Sequence, residues 1–148
     1  YHHSNPIGFA EWFENQAKEY FINEIRQQYA AQVEVEEISE QEMTRRLEPL
    51  RRAVQLVKRY RDIYCSENDK EPVRSIVLCT LMGRVNNYSG DTLQIIRNFC
   101  VYVNQLIPAN GDKPFEVKNP VVDEVLTEKW SEGNNYKDFV EDVLNERI

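Results

Sequence analysis

Apolar runs in this chain are only a few residues long, Ile76-Val77-Leu78-Cys79 among them. Roughly 20 consecutive apolar residues are needed to cross a bilayer as a helix, so no helical membrane span is expected and no membrane partner with it. Cysteine is equally sparse: Cys65, Cys79 and Cys100 are odd in number, widely spaced and without an accompanying histidine cluster. That pattern suggests neither a disulfide framework nor a zinc site, and it fits free thiols in a reducing, cytoplasmic setting. The chain has no Gly-rich phosphate loop, no His-Glu-x-x-His, no Cys-x-x-Cys and no pair of Asp two residues apart that could hold two metal ions. Its seven Asp are scattered. No catalytic residue and no metal ligand is therefore assigned, and a free-standing enzyme is not expected. His2 and His3 stand together near the start and are given no chemistry. Nothing there resembles a secretory signal, because Pro6 to Phe13 is too short and is followed at once by charge. Because the first residue is Tyr1 rather than Met, we expect an excised piece of a longer protein.

What the sequence does hold is enough for one core. A domain of 148 residues buries roughly 68–70% of its unfolded surface and needs no disulfide or metal to stay folded. Hydrophobic residues at 41%, with eight Tyr, six Phe and two Trp, supply the material, and no internal repeat or second domain is visible.

Helical periodicity dominates. Asn5 can cap a first helix with Pro6 at its first position, and Phe9, Phe13, Ala17, Tyr20, Phe21 and Ile25 then recur at three- and four-residue steps to about Ala31. Gln32 to Ile38 is taken as a loop. Ser39 followed by Glu42 is a capping-box pattern that opens a second helix, which Pro49 either kinks or restarts. From Leu50 to Tyr64 the apolar residues cover more than half the circumference, the mark of a central helix. After a polar loop from Ser66 to Pro72, a nearly all-apolar helix is expected from Val73 to about Asn87. Ser89 or Asp91 caps a further helix to Ile107. Pro108 to Pro114 reads as loop, Phe115-Glu116-Val117 as a short extended segment, and Asn119-Pro120 as the cap of a helix to Trp130. After a break at Gly133-Asn134-Asn135, Tyr136 to Leu144 forms the last helix. The fold class is all-α, a single compact bundle of about six or seven helices around a central spine.

Charge is distributed unevenly along this bundle. Between Arg45 and Arg61 stand seven bases (Arg45, Arg46, Arg51, Arg52, Lys58, Arg59, Arg61) and one acid, Glu48, so the window carries +6 and the rest of a chain at −7 carries −13. On a continuous helix, residues seven apart nearly eclipse, so Arg45, Arg52 and Arg59 form one row and Arg51 and Lys58 a second. Such cations either lie over apolar surface and pair with neighbouring Glu, or face a cleft that binds phosphate. Composition alone leaves both open.

Three stretches carry a family resemblance: SNPIGFAEWF (Ser4 to Phe13), LRRAVQLVKRYRDIYC with EPVRSIVLCTL (Leu50 to Leu81), and VKNPVVDEVLTEKW with YKDFV (Val117 to Val140). Their order and spacing resemble the C-terminal helical part of the cyclic-oligonucleotide-synthesising nucleotidyltransferases (CD-NTases) of bacterial anti-phage defence, relatives of oligoadenylate synthase and cyclic GMP-AMP synthase. The resemblance covers nearly all of the chain and implies that residues 1–148 are a C-terminal helical lobe. The family's N-terminal catalytic lobe, with its Gly-Ser motif and metal-binding acids, is absent from this sequence. The resemblance further implies that nucleoside triphosphates and that missing lobe are partners, and that magnesium is held by the lobe, with no cofactor for this chain alone. A protein or nucleic-acid activator is also implied. Lys58 matches the spine-helix lysine that contacts nucleotide phosphates, Ser75 matches a donor at the start of the next helix, and Arg74 beside it is a further candidate contact. Trp12, Trp130 and Phe139 are assigned to the core. The competing expectation is a non-catalytic helical module whose basic face binds a protein or nucleic acid. The sequence pI near 4.9 weighs against nucleic acid.

Overall fold

A computed structural model of the chain describes residues 4–28, 39–107, 114–132 and 136–139. His2 and His3, the end of the first helix beyond residue 28, the loop expected at Gln32–Ile38, most of the loop at 108–114, the break at 133–135 and the last helix from Val140 onward lie outside the described residues.

Four α-helices and one 3-10 helix make up the regular structure among the described residues, in the order α1 (Pro6–Gln28), α2 (Glu40–Glu67), α3 (Ser75–Arg84), α4 (Thr92–Leu106) and the 3-10 helix Glu128–Glu132. The chain is all-α in this sense, with an isolated antiparallel bridge between Lys118 and Val125 as its β-type pairing. α1, α2 and α4 each begin where a side chain takes an orphaned amide. Asn5 Oδ1 accepts from the Gly8 amide at 2.9 Å, Ser39 Oγ accepts from the Glu42 amide at 3.2 Å, and Asp91 Oδ1 accepts from the Gln94 amide at 2.9 Å. Of the two caps considered for α4, Asp91 is the one used.

α2 runs unbroken through Pro49. It buries Leu47, Leu50, Ala53, Val54, Val57, Tyr64 and Cys65 along one face. α3 is shorter than its apolar composition predicts. The Tyr88 hydroxyl donates to the Gly83 carbonyl, and Asn86 turns the chain with φ 55°, so the last turn closes at Arg84 rather than at Asn87. α2 and α3 each touch all the other α-helices, so the central place expected for one spine is shared by a pair. The innermost large apolar side chains are Leu50 and Val57 of α2, Val77, Leu81 and Met82 of α3, Phe99 and Val103 of α4, and Val117 beyond the helices. α1 closes on α3 at Gly83, where an added Cβ would stand 2.9 Å from the Trp12 ring.

The helix expected from Asn119 to Trp130 does not form over most of that span. Residues 117–126 fold back on themselves instead, with the Leu126 amide donating to the Val117 carbonyl at 2.8 Å and the Asn119 amide to the Glu124 carbonyl at 2.9 Å. Asn119 does accept from two amides ahead of it, Val121 at 3.0 Å and Val122 at 3.3 Å. The valines that follow suit extended backbone better than helix, so the turn closes as a small hairpin and helix begins only at Glu128. Trp130 and Phe139 are buried as expected, packed with Phe115 and Tyr136 in edge-on and tilted ring contacts with centroids 5.4 to 5.6 Å apart. Trp12 is half-buried, with the Arg84 guanidinium 5.9 Å from its ring.

Candidate functional site

Because α2 is one continuous helix, the two cation rows lie on it as the spacing predicts, yet most of their charge is spent locally. Arg45 and Arg46 both pair with Glu42, the latter at 2.8 Å. Arg52 pairs with Glu48 at 2.5 Å, one turn before it. Arg51 reaches across to Glu14 of α1 at 3.2 Å, and Arg61 pairs with Asp62 at 2.8 Å. Each is an exposed or partly exposed pair worth well under about 1 kcal/mol, so together they answer the charge question more than the stability one. Among the described residues no carboxylate pairs with the remaining two, Lys58 and Arg59. Arg59 is exposed and Lys58 half-buried.

Lys58 lies at the edge of a cavity of about 340 Å³ between α1, α2 and α3, walled by Phe9, Phe13, Leu47 and Val54 and by Cys79 of α3. Its ammonium acts on the Cys79 thiol across the cavity wall. Burial pushes that thiol above its ordinary pKa, and the nearby Lys58 and Arg61 cations pull the other way without cancelling the effect. Cys79 is thus a neutral, weak partner, and the Lys58 charge is free to act on something stronger. The Arg51–Glu14 pair borders the same cavity, since both residues line it.

One turn further along α2 and one turn back along α3 is a second contact between the two helices. Arg61 Nη1 donates to the Val73 carbonyl at 2.9 Å and to Ser75 Oγ at 2.8 Å, while Nε donates to Asp62 at 2.9 Å. Lys58 and Ser75 therefore lie on neighbouring rungs between α2 and α3, Lys58 against Cys79 and Arg61 against Ser75. Arg74 is elsewhere. It is exposed, occupies the cap position of α3 without a side-chain cap bond, and lines a separate cavity of about 310 Å³ floored by Val77, Leu126 and Trp130. Neither Arg61 nor Cys79 is among the residues singled out from the sequence. The signal for both was helical spacing, with Arg61 three residues after Lys58 and Cys79 four after Ser75.

Among the described residues no three His, Cys, Asp or Glu side chains converge where they could hold a metal ion, and no helix among them is long and apolar enough to cross a membrane.

No protein-family model matches the chain, and no solved structure matches it. Over 151 aligned residues the chain is 32% identical to c-di-GMP synthase of Roseivirga ehrenbergii, an alignment that takes in 96% of this chain and 37% of that protein. The chain spans little more than a third of its relative's length and is similar, along nearly all of its own, to part of a protein of that name.

Proposed function

We propose that this chain is the C-terminal, nucleotide-contacting helical lobe of a nucleotidyltransferase that makes cyclic or linear oligonucleotide second messengers in anti-phage defence. The carrying observation is Lys58. It stands half-buried beside an apolar cavity, paired with no described carboxylate while five of the seven cations in its window are so paired. A volume of about 340 Å³ lies at the lower end of ligand sites, roughly 300–1,000 Å³. Apolar walls with Lys58 and the Glu14-paired Arg51 at the rim suit a nucleoside with its phosphates outward toward Lys58, and Ser75 one rung away adds a hydroxyl. The similarity to a c-di-GMP synthase supports the reading and makes guanosine triphosphate the first nucleotide to try. In such an enzyme a ribose hydroxyl attacks an α-phosphate and pyrophosphate leaves. The acidic residues and magnesium for that step belong to a lobe outside this sequence, and this chain holds and orients phosphate. Arg74, on the other cavity, is left out of the phosphate contacts.

One observation favours the second reading, a non-catalytic interaction module. Leu56 and Ile63, seven residues apart on α2, are 50% and 44% exposed with Arg59 between them, a face that would suit an acidic protein partner. An NMR titration of the chain with ATP and GTP, each with and without magnesium, separates the two. Magnesium-independent shifts at the Lys58 and Ser75 amides are expected. If millimolar nucleotide produces no shift at either, the chain does not hold nucleotide and the module reading replaces this one.

A further inference from the structure

Ser75 acquires its role from another residue. A serine hydroxyl has two lone pairs and one hydrogen, and its hydrogen bonds depend on which are already used. Here the oxygen accepts from Arg61 Nη1 at 2.8 Å. The same nitrogen donates to the Val73 carbonyl, two residues earlier, at 2.9 Å. One guanidinium nitrogen thus grips the chain on both sides of Arg74 and fixes where α3 begins. The Arg61 side chain is 15% exposed, and Asp62 holds its Nε and Nη2 on the far side, at 2.9 and 2.8 Å. A fork held from both ends has little freedom to turn toward a ligand. What remains to Ser75 is its hydrogen and one lone pair. An oxygen that accepts a charge-assisted bond also makes its own O–H the stronger donor.

We infer that Arg61 is a positioning residue for phosphate binding. It does not touch the ligand, but it holds Ser75 beside Lys58 and presents the Ser75 hydroxyl as a donor. This rests on the nucleotide reading above. It also explains a basic residue in the QLVKRYRD stretch that faces inward although its neighbours Arg59 and Asp62 are exposed.

The test is a double-mutant cycle on nucleotide affinity, read by NMR titration of GTP into the chain with wild type, Arg61→Met, Ser75→Ala and the double variant. Loss of one hydrogen bond to a charged group weakens affinity by about tenfold or more. Each single variant should therefore bind about tenfold more weakly. The double variant should bind no worse than either, because both changes remove the same contact. In Arg61→Met the GTP-induced shift at the Lys58 amide should persist while that at Ser75 disappears, which a general loss of structure would not produce. Arg61→Lys keeps the charge and the stem but cannot reach both oxygens with a fork, so it should not restore affinity. If Arg61→Met fails to fold, the cycle is run on Arg61→Lys with the same expectation. Additive losses, affinity unchanged in Arg61→Met, or full recovery in Arg61→Lys would overturn the inference and leave the nucleotide reading standing. A wild-type chain that binds no GTP overturns both.

Discussion

Replacing Pro49 by alanine should make the protein more stable. Pro49 is the tenth residue of a 28-residue helix that runs through it without a break. A proline there has no N–H to give the Arg45 carbonyl, and its ring crowds that same carbonyl. In a helix interior this is worth about 3 kcal/mol relative to alanine. The substitution also removes two ring methylenes from a half-buried position. At about 0.8 kcal/mol for each one fully buried, half burial puts that loss near 0.8 kcal/mol. The contact of Thr92 Oγ1 with the residue 49 carbonyl, 3.3 Å, uses the backbone and survives. The net is a gain of about 2 kcal/mol, or about 4–8 °C in Tm at the 2–4 °C per kcal/mol typical of this size. Urea unfolding followed by circular dichroism should show a higher midpoint with an unchanged slope. A midpoint equal to or below wild type would mean that α3 and α4 pack against a bend that the proline creates, and the account of α2 as one continuous helix would fail.

Three further outcomes follow from the packing and the ionisable groups. Gly83→Ala should lower stability, because its Cβ would meet the Trp12 ring at 2.9 Å and Phe13 at 3.3 Å. Overpacking of about 1–3 kcal/mol outweighs the helix-propensity gain of about 1 kcal/mol, and a rise in thermal midpoint would refute the close approach of α1 to α3. Leu50→Ala, at a fully buried position, should cost about 2–5 kcal/mol in chemical denaturation, and a loss below 1 kcal/mol would remove Leu50 from the core. Burial raises the pKa of Tyr88, and raises those of Tyr102 and Tyr136 as well. The unfolded chain therefore releases these protons first, so stability is complete below roughly pH 10 and is lost as pH rises through the folded values. Urea midpoints that stay flat to pH 11 would contradict this.

Local chemistry was legible in the sequence wherever a few neighbouring residues decide it. Asn5, Ser39 and Asp91 cap as their spacing predicts, and α2 and α4 each bury part of their apolar surface, while Leu56 and Ile63 of α2 and Leu93 and Val101 of α4 stay exposed. The hairpin at 117–126 was missed because Asn119-Pro120 is an equally good opening for a helix or a turn. The choice was made by pairing with Val117, across the turn. The basic stripe was visible, but its neutralisation was only half visible. Glu42 and Glu48 lie within one turn of their arginines, whereas Glu14 is 37 residues from Arg51 and meets it only when α1 packs on α2. Lys58 and Ser75 were candidates through a family pattern alone. Helical spacing put Arg61 beside Lys58 and Cys79 beside Ser75 on their own helices, but that Arg61 reaches Ser75 follows from the crossing of two helices, which periodicity does not encode.

The most direct test of the central claim is product formation by the two-lobed nucleotidyltransferase proposed to carry this chain, incubated with GTP and ATP, comparing wild type with Lys58→Met. Lys58 is half-buried beside a neutral thiol and supports no described ion pair, so the variant should unfold within about 0.5 kcal/mol of wild type. The account predicts that it makes no cyclic or linear oligonucleotide, and a Lys58→Met protein that turns over normally would contradict it.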